Sequence, residues 1–155
     1  MGVSKPRREI GVKPKSKSTA ARRLTCGQVM SKPRVMSLDD NMAKVLEKIT
    51  MKNWDHVFLV DSNRAPAGRI HAVDVLKMIA KKTVNRNIAW MYAITAQEMV
   101  TQPPLTVRVD TPLLKACALM LSHDLNQIAV IDLSGEIAGV VSMSTIAKHL
   151  PRFIL

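Results

Sequence analysis

The sequence predicts a mixed α/β fold made of two copies of one unit, and three observations support this. The pattern of residues 38–76 returns at residues 109–147, a constant offset of 71 residues without a gap. Each copy contains a four-residue apolar run that ends in aspartate and is followed by a polar turn. Each copy also has apolar side chains at helical spacing on both sides of that run. A fixed internal period indicates repeated architecture, so we expect one pseudo-symmetric module with functional sites where the copies meet.

Each unit is predicted to begin with a short strand and a helix. The strands fall around residues 35–36 and 105–107. In the first unit Asp39, Asp40 and Asn41 are candidate N-caps of a helix with apolar positions at 42, 45, 46 and 49. In the second unit Thr111 is the candidate cap and Pro112 the first helical residue, ahead of apolar positions 113, 116, 117, 120 and 121.

Two further strands and a second helix complete each unit. The apolar runs at 57–60 and 128–131 are typical of strands buried on both faces. Another strand follows each turn, over residues 67–71 and 137–141. The second helices then have apolar positions at 73, 76, 79 and 80, and at 143, 146, 147 and 150. Each unit is therefore predicted as strand, helix, strand, strand, helix.

Length and composition fit one small module. The 155 residues are 47% apolar but only 3% aromatic, so aliphatic side chains and ten methionines must fill the core. Base stacking on aromatic side chains is therefore not expected. Cys26 and Cys117 lie far apart without metal-ligand spacing, which indicates a reducing cytoplasm. Cys117 falls on an apolar helical stripe, whereas Cys26 lies near the N-terminal tail and could be exposed.

No segment suggests a membrane or secretory role. No apolar run approaches the roughly 20 residues that span a bilayer. The N-terminus is basic but lacks the apolar core of a signal peptide. We therefore expect a soluble, cytoplasmic protein without membrane contact.

The net charge of +11 is unevenly distributed. Residues 1–24 contain eight Lys or Arg against one Glu, and residues 25–155 contain 15 basic and 11 acidic side chains. A Lys/Pro/Ser-containing tail of this kind buries little surface and is expected to be disordered. It is suited either to salt-sensitive binding of nucleic acid or another polyanion, or to a solubilising or tethering role.

The two units resemble a tandem pair of cystathionine-β-synthase (CBS) domains, often called a Bateman module. The resemblance is carried by the apolar runs before Asp61 and Asp132, by the segments beginning at Gly68 and Gly139, and by the Met- and Pro-containing stretches before each unit. It covers roughly residues 25–150. It implies two repeats packed by their sheets into one flat module whose two clefts receive AMP, ADP, ATP or S-adenosyl compounds, with pairing of modules into homodimers.

Domain boundaries follow from the repeat and its resemblance. They are a basic tail at 1–24, a first CBS repeat at 25–82, a linker at 83–94, a second CBS repeat at 95–150 and a C-terminal end at 151–155.

The segment that opens each second helix has a chemistry suited to a nucleotide. A glycine allows close backbone approach, and free N–H groups at a helix start favour phosphate. In the CBS family the segment is Gly-x-x-Thr/Ser-x-x-Asp/Asn, and its carboxylate accepts the ribose hydroxyls. In the first copy Asp74 matches the ribose position, while His71 replaces the phosphate-contacting hydroxyl. The resemblance implies a first-cleft site of Asp74, His71, Gly68, His56, Val35 and Met36.

The second copy departs from the family segment in the opposite place. Ser142 matches the hydroxyl, and Thr145 replaces the acid. The resemblance implies a weaker second-cleft site of Ser142, Thr145, Gly139, Gln127 and Thr106. We therefore expect one strong adenosyl site per chain, in the first cleft.

Other interpretations of these residues remain open. Asp74 can simply stabilise the positive end of its helix, and Ser142 can be an ordinary N-cap. Arg64 and Arg69 can meet phosphate or lie on solvated surface. The four histidines show no metal-ligand clustering, so no metal site is expected.

The resemblance implies a regulatory module without a cofactor, and catalysis is not expected because no nucleophile elbow, phosphate-binding Gly-rich loop or zinc-protease motif is present. In this interpretation it senses an adenine nucleotide mainly through the first cleft. The alternative is a nucleic-acid-associated or scaffolding protein in which residues 1–24 bind and the CBS pair dimerises. A third hypothesis is an empty module that docks a partner.

Overall fold

The predicted order of elements is confirmed in both units of the structure, a computed structural model that describes residues 24–82, 89–100, 104–149 and 151. The predicted tail, apart from Leu24, and residues 83–88 of the predicted linker lie outside the described residues. The first unit contains α1 (Cys26–Val29), β1 (Val35–Ser37), α2 (Met42–Met51), β2 (His56–Val60), β3 (Pro66–His71) and α3 (Ala72–Lys82). Helix α4 (Trp90–Ala93) lies in the predicted linker, and the second unit contains a 3-10 turn (Ala96–Met99), β4 (Thr106–Arg108), α5 (Leu113–Ser122), β5 (Gln127–Ile131), β6 (Ile137–Ser142) and α6 (Met143–His149).

Each unit forms a three-stranded sheet with the same topology. The orders are β1-β2-β3 and β4-β5-β6. The central strand runs parallel to the first strand of its unit and antiparallel to the third. The hairpin register shifts at Leu59/Val60 in one sheet and at Val130/Ile131 in the other. The two shifts lie 71 residues apart and are therefore at equivalent positions of the repeats.

The aspartate after each central strand organises the hairpin turn. Asp61 Oδ1 accepts hydrogen bonds from backbone N–H groups two and four residues later, at 2.8 and 3.0 Å. Asp132 Oδ1 does the same at 2.9 and 3.1 Å. Side-chain bonds of this kind fix a turn locally, which explains why this aspartate recurs in both units.

Three apolar clusters form the core. One lies between the first sheet and its helices and includes Val45, Val57 and Ile70. A second lies between the second sheet and its helices and includes Ile128 and Val141. The third joins the two sheets. It consists of Phe58, Val60, Ala129, Ile137 and Val140. The predicted packing of the units through their sheets is thus confirmed, and both central strands are buried on both faces.

The segment that precedes the first unit packs on the second unit, and the segment that precedes the second unit packs on the first; we refer to this as the exchange. Gly27 donates its N–H to Val109 O at 2.9 Å, and Ser31 pairs with Val140. In the opposite direction Met42 donates its N–H to Ile94 O at 3.0 Å, and Ala96 is fully buried in the first core. We call residues 24–31 and 94–100 the crossing segments.

This exchange buries Cys26, which the sequence had left as a candidate for exposure. Its side chain is 0% exposed and lies in the core of the second unit with Val107 and Leu113. Burial raises the pKa of Cys26 to about 11, so this thiol is held in its neutral form. Cys117 packs against the same core, as its helical position predicted.

The exchange also changes how α5 begins. Asn41 caps α2 as predicted, accepting from Lys44 N at 2.9 Å. The corresponding prediction for Thr111 is wrong, because Thr111 Oγ1 accepts from Arg108 N instead. Pro112 is the extended residue before the helix, and the N–H of Leu113 bonds to Leu24 O of the crossing segment at 2.8 Å. A backbone contact with a distant segment therefore satisfies a helix-end donor.

Within the described ranges, no helix has both the length and the apolar character needed to traverse a membrane.

Candidate functional site

A side chain of β3 reaches the space between the sheets only if it lies on the face of β3 that is directed toward the second sheet. Neighbouring side chains of a strand point to opposite faces. Ile70 faces the first core and is 2% exposed. Arg69 pairs across the hairpin with Phe58, whose side chain belongs to the cluster between the sheets. Arg69 and His71 therefore face the second sheet.

The first cleft, as the structure defines it, opens beside Arg69 and has a volume of about 540 Å³. Its apolar wall includes Phe58 from the first sheet together with Leu105 and Leu125 from the second unit. Its polar groups are Arg69, His123 and Gln127. The two units thus build this cleft jointly.

Arg69 is a cationic side chain of the first cleft whose charge is only weakly compensated by other protein groups. One guanidinium nitrogen, Nη1, donates to the carbonyl oxygen of Gln127 at 3.4 Å, a long hydrogen bond. Burial lowers the pKa of Arg69, while the negative charge of Asp74 acts in the opposite direction. Arginine remains protonated in proteins, so the cleft contains a half-buried positive charge.

The second cleft lies at the pseudo-symmetric position and has a volume of about 420 Å³. Val140 occupies the position that Arg69 has in the first unit. The polar groups that line this cleft are basic or carry hydroxyls, apart from Asp55 and Gln127. The basic ones are Lys32, Arg34 and His56, and the hydroxyls belong to Ser31, Ser142 and Ser144.

Asp55 organises the basic side of the second cleft. Its Oδ1 lies 3.1 Å from Arg34 Nη1 and 2.7 Å from His56 Nδ1, and Gln127 Nε2 lies 3.5 Å from Oδ2. Burial raises the pKa of Asp55, but the His56 hydrogen bond and the nearby positive charges outweigh it and leave the pKa below its ordinary value. Asp55 is therefore a carboxylate that neutralises part of the basic wall.

Two buried polar atoms between the sheets have no protein partner in the described structure. They are Nε2 of His56 and Oε1 of Gln127, and the 71-residue offset relates the two residues. Burial lowers the pKa of His56, although the contact with Asp55 opposes this. A neutral ring that donates from Nδ1 to Asp55 leaves Nε2 as an acceptor. Both unpaired atoms are then acceptors.

The residues predicted for the first cleft occupy different places. Asp74 lies exposed in the first turn of α3, and no described side chain or backbone group forms a hydrogen bond or ion pair with its carboxylate. His71 is half-buried, with its ring centroid 6.2 Å from that of His56. Burial, followed by the charge of Arg69, lowers the pKa of His71.

None of the six residues predicted for the first cleft, Asp74 and His71 included, is among the described residues that line it. His56 lines the second cleft instead. Met36 is buried in the first core, and Val35 packs against the cluster between the sheets. A Cβ at Gly68 would overlap the γ carbons of Val100. The immediate role of this glycine is therefore to admit a crossing segment.

The predicted second-cleft residues include a helix cap. Ser142 Oγ accepts a hydrogen bond from Thr145 N at 3.2 Å and lies 3.0 Å from Thr145 Oγ1. These are the contacts of an N-cap residue, as the second interpretation of Ser142 expected. Gly139 faces Met30 of a crossing segment. Gln127 lines both clefts, and Thr106 lies half-buried in β4.

Sequence reasoning missed the contribution of each unit to the other unit's cleft. Lys32 and Arg34 line the second cleft beside Ser142, more than 100 residues away in sequence. Leu105 and Leu125 likewise line the first cleft beside Arg69. The Met- and Pro-containing stretches before each unit could be recognised in the sequence. No sequence pattern near them, however, indicated which unit they contact.

The described residues contain no group of three or more His, Cys, Asp or Glu side chains that could hold a metal ion.

Comparison with known proteins identifies the repeated unit. The sequence profile of the CBS domain matches residues 26–81 and again residues 96–152. CBSX2 of Arabidopsis thaliana, a CBS-pair protein, has a TM-score of 0.71 at 21% identity, covering 84% of this chain and 96% of that one. A structure of CBSX2 in complex with AMP has a TM-score of 0.69 at 21% identity, covering 84% and 98%.

Another similar structure is a CBS domain pair in complex with 5′-methylthioadenosine and S-adenosyl-L-methionine. Its TM-score is 0.65 at 19% identity, and the match covers 83% of this chain and 96% of that one. These likenesses show the fold.

Two curated relatives are enzymes by name. Homoserine O-acetyltransferase of Methanohalobium evestigatum is 29% identical over 114 residues. L-aspartate semialdehyde sulfurtransferase of Methanocaldococcus jannaschii is 24% identical over 105 residues. The matches cover 74% and 66% of this chain but 21% and 18% of the relatives. The chain thus spans about a fifth of the length of either enzyme.

Proposed function

Since the chain belongs to the CBS domain family and contains two such domains, we propose that it is a non-catalytic regulatory module that binds an adenosyl ligand between its repeats. The observation that carries the proposal is a pair of pseudo-symmetric clefts beside the Gly-x-x-polar-x-x-polar segments. The AMP and S-adenosyl-L-methionine complexes of similar CBS pairs indicate the class of ligand.

In the first cleft, the proposed ligand places its ribose against Asp74. This carboxylate is exposed and has no protein partner in the described structure, so it is available to accept two hydroxyl hydrogen bonds. The apolar side chains of Phe58, Leu105 and Leu125 offer a surface for a purine. Buried apolar walls with a few convergent polar groups are the usual composition of a small-molecule site.

The second cleft supports weaker ligand binding. Its equivalent of Asp74 is Thr145, which already bonds to Ser142. Asp55 also neutralises Arg34 of its basic wall through an ion pair and contacts Nδ1 of His56. We therefore retain the first cleft as the principal site, with Lys32 as the basic group of the second cleft that is available to meet an anion.

We also propose that the chain is a cytoplasmic homodimer. Both cysteines are free thiols, which fits a reducing compartment. Leu76 on α3 and Leu121 on α5 are 62% and 64% exposed. Exposed apolar side chains on helices favour association between copies. A monomer mass in light scattering would exclude the dimer.

The proposal is tested by calorimetry with AMP, ADP, ATP, adenosine and S-adenosylmethionine on the wild type and Asp74→Ala. Hydrogen bonds to a charged group contribute about 1.5–3 kcal/mol, so the variant should bind on the order of ten- to a hundredfold more weakly. Its melting temperature without ligand should change little, because the lost helix-end interaction contributes at most roughly 1 kcal/mol.

Asp39→Ala provides the matched control, because Asp39 is an exposed aspartate before α2 and lies outside the segment from Gly68 to Asp74. It should retain wild-type affinity. Destabilisation of the apo protein by Asp74→Ala with unchanged affinity would make Asp74 a helix-end residue only. Absence of binding to all five compounds would instead favour the partner-docking module.

A second candidate function is polyanion binding through residues 1–24. The observation in its favour is the concentration of eight Lys or Arg against one Glu in that segment. Clustered positive charge attracts nucleic acid without reading its sequence.

A further inference from the structure

Arg69 occupies a position that is apolar in the other repeat. The offset of 71 residues pairs it with Val140, which is 5% exposed and belongs to the cluster between the sheets. Val140 shows that the fold accepts a buried apolar side chain at this position. In the first repeat the same position carries a half-buried guanidinium that lines the first cleft. The fold does not require a positive charge at this position, so the presence of Arg69 there indicates a role other than stabilising the fold.

The guanidinium is poorly satisfied by the protein. It has five N–H donors, and its hydrogen bond within the described structure is the 3.4 Å contact with Gln127 O. Arg69 forms no ion pair with any described carboxylate. Asp74 is the acidic residue whose charge acts on it, from beyond ion-pair distance. Most of the binding capacity of Arg69 is thus unused.

The surroundings strengthen any anion contact that Arg69 makes. The neighbouring walls include Phe58, Leu105 and Leu125. Apolar walls lower the local dielectric, so an unpaired charge there is unfavourable and a charge pair is stronger than on open surface. The planar fork of a guanidinium also matches two oxygens of a phosphate.

We propose that Arg69 makes the first cleft selective for adenosyl ligands that carry a phosphate. It disfavours uncharged adenosine, which leaves the guanidinium unpaired, and S-adenosylmethionine, whose sulfonium and ammonium groups together outweigh its one carboxylate and bring net positive charge into the cleft. This inference rests on the proposed function, because it presumes that the first cleft binds an adenosyl ligand.

The test is calorimetry with AMP, adenosine and S-adenosylmethionine on the wild type, Arg69→Gln and Arg69→Lys. The wild type should bind AMP more tightly than the other two. Arg69→Gln should lose on the order of ten- to a hundredfold in AMP affinity while keeping or improving adenosine affinity. Arg69→Lys, which keeps the charge but loses the planar fork, should retain only part of the preference. Asp74→Ala assigns the titrated site to the first cleft.

Lys115→Met is the control for loss of one positive charge, because Lys115 is exposed on α5 and lines neither cleft. It should retain wild-type affinities. Should Arg69→Gln fail to fold, Arg69→Met gives the same comparison with a side chain closer to Val140. Equal wild-type affinity for AMP and adenosine, or an equal loss of both in the neutral variant, would overturn this inference and leave the proposed function standing. Absence of binding by these three ligands and by ADP and ATP would overturn both.

Discussion

His56 and Gln127 begin the two central strands and lie at equivalent positions of the repeats. They are 5% and 7% exposed, and each has one polar atom without a protein partner in the described structure. The residues differ in one physical respect, because only the histidine titrates near neutral pH. Burial favours the neutral form of His56 and lowers its pKa, and the contact with Asp55 does not reverse this shift.

The lowered pKa of His56 makes stability depend on pH. As pH falls below about 6.5, histidines in the unfolded chain bind protons that the folded state resists. The unfolded state then carries more protons, so acidification from pH 7.5 to 5.5 should reduce the free energy of unfolding. A single histidine contributes at most about 1.4 kcal/mol per pH unit. The lowered pKa of His71 acts in the same direction. Urea unfolding at several pH values measures the slope.

His56→Gln copies the residue of the second repeat and should give a shallower slope over the same range. Identical slopes in wild type and His56→Gln would mean that other groups dominate acid destabilisation.

At the scale of the elements, the repeat made the secondary structure predictable. Two copies of one pattern constrain each other, and the β2, β3, β5 and β6 bounds agree with expectation to within one residue at either end. The turn residues Asp61 and Asp132 were recognisable for the same reason, since their bonds are local. Periodicity and short-range hydrogen bonds are properties that a sequence displays directly.

The crossing segments were not predictable in this way. Ser31 pairs with Val140 across 109 residues, and no periodic signal encodes which sheet a connecting segment contacts. The burial of Cys26 and the start of α5 follow from these contacts. The cleft residues depend on them too, because Lys32 and Arg34 reach the second cleft only through the exchange. The direction of Arg69 required the register of β3 with β2.

The crossing segments explain the glycine of each repeat and predict that replacing either one destabilises the fold. A Cβ at Gly68 would meet both γ carbons of Val100, a stiff β-branched side chain. A Cβ at Gly139 would lie 2.5 Å from Sδ of Met30, which can rotate away, and 2.9 Å from Cβ of Met30, which is fixed to the backbone. Gly68→Ala and Gly139→Ala should therefore each destabilise by about 1–3 kcal/mol. Chemical denaturation measures both.

A double-mutant cycle tests the cause. Val100→Ala removes the γ carbons that the new methyl group would meet, so Gly68→Ala with Val100→Ala should be more stable than the sum of the single effects implies. Additive losses would show that Gly68→Ala acts through strand conformation and not through the crossing segment.

At the scale of the whole molecule, the exchange makes each repeat incomplete without the other. Ala96 and Met99 of the second half complete the first core, while Cys26 of the first half completes the second. The cluster around Phe58 then joins the two sheets. The clefts lie along this shared interface, which allows a ligand bound between the repeats to act on both.

The basic N-terminal tail joins this interlocked body at Leu24, whose carbonyl bonds to Leu113 of the second unit. The body therefore has a fixed anchoring point for a segment of very different composition. If residues 1–24 bind polyanions, deleting residues 1–23 should abolish RNA or DNA binding and leave nucleotide affinity unchanged. Affinity of the full chain should fall log-linearly with salt, with a slope of up to about −0.9 per phosphate neutralised on duplex DNA.

A chain with residues 1–23 in scrambled order is the matched control for this deletion. Because the proposed contact is between Lys or Arg charges and phosphates, the scrambled tail should bind as the natural one does, without sequence preference on the nucleic acid. Fluorescence anisotropy at several salt concentrations, with calorimetry for AMP on the same samples, separates the two activities. Retention of nucleic acid by the truncated protein at the same salt would assign binding to the folded body. Loss of binding on scrambling would require a defined sequence in the tail. If the tail binds through its charge alone, the scrambled chain binds nucleic acid, the truncated chain does not, and AMP affinity is the same in both variants and in the wild type.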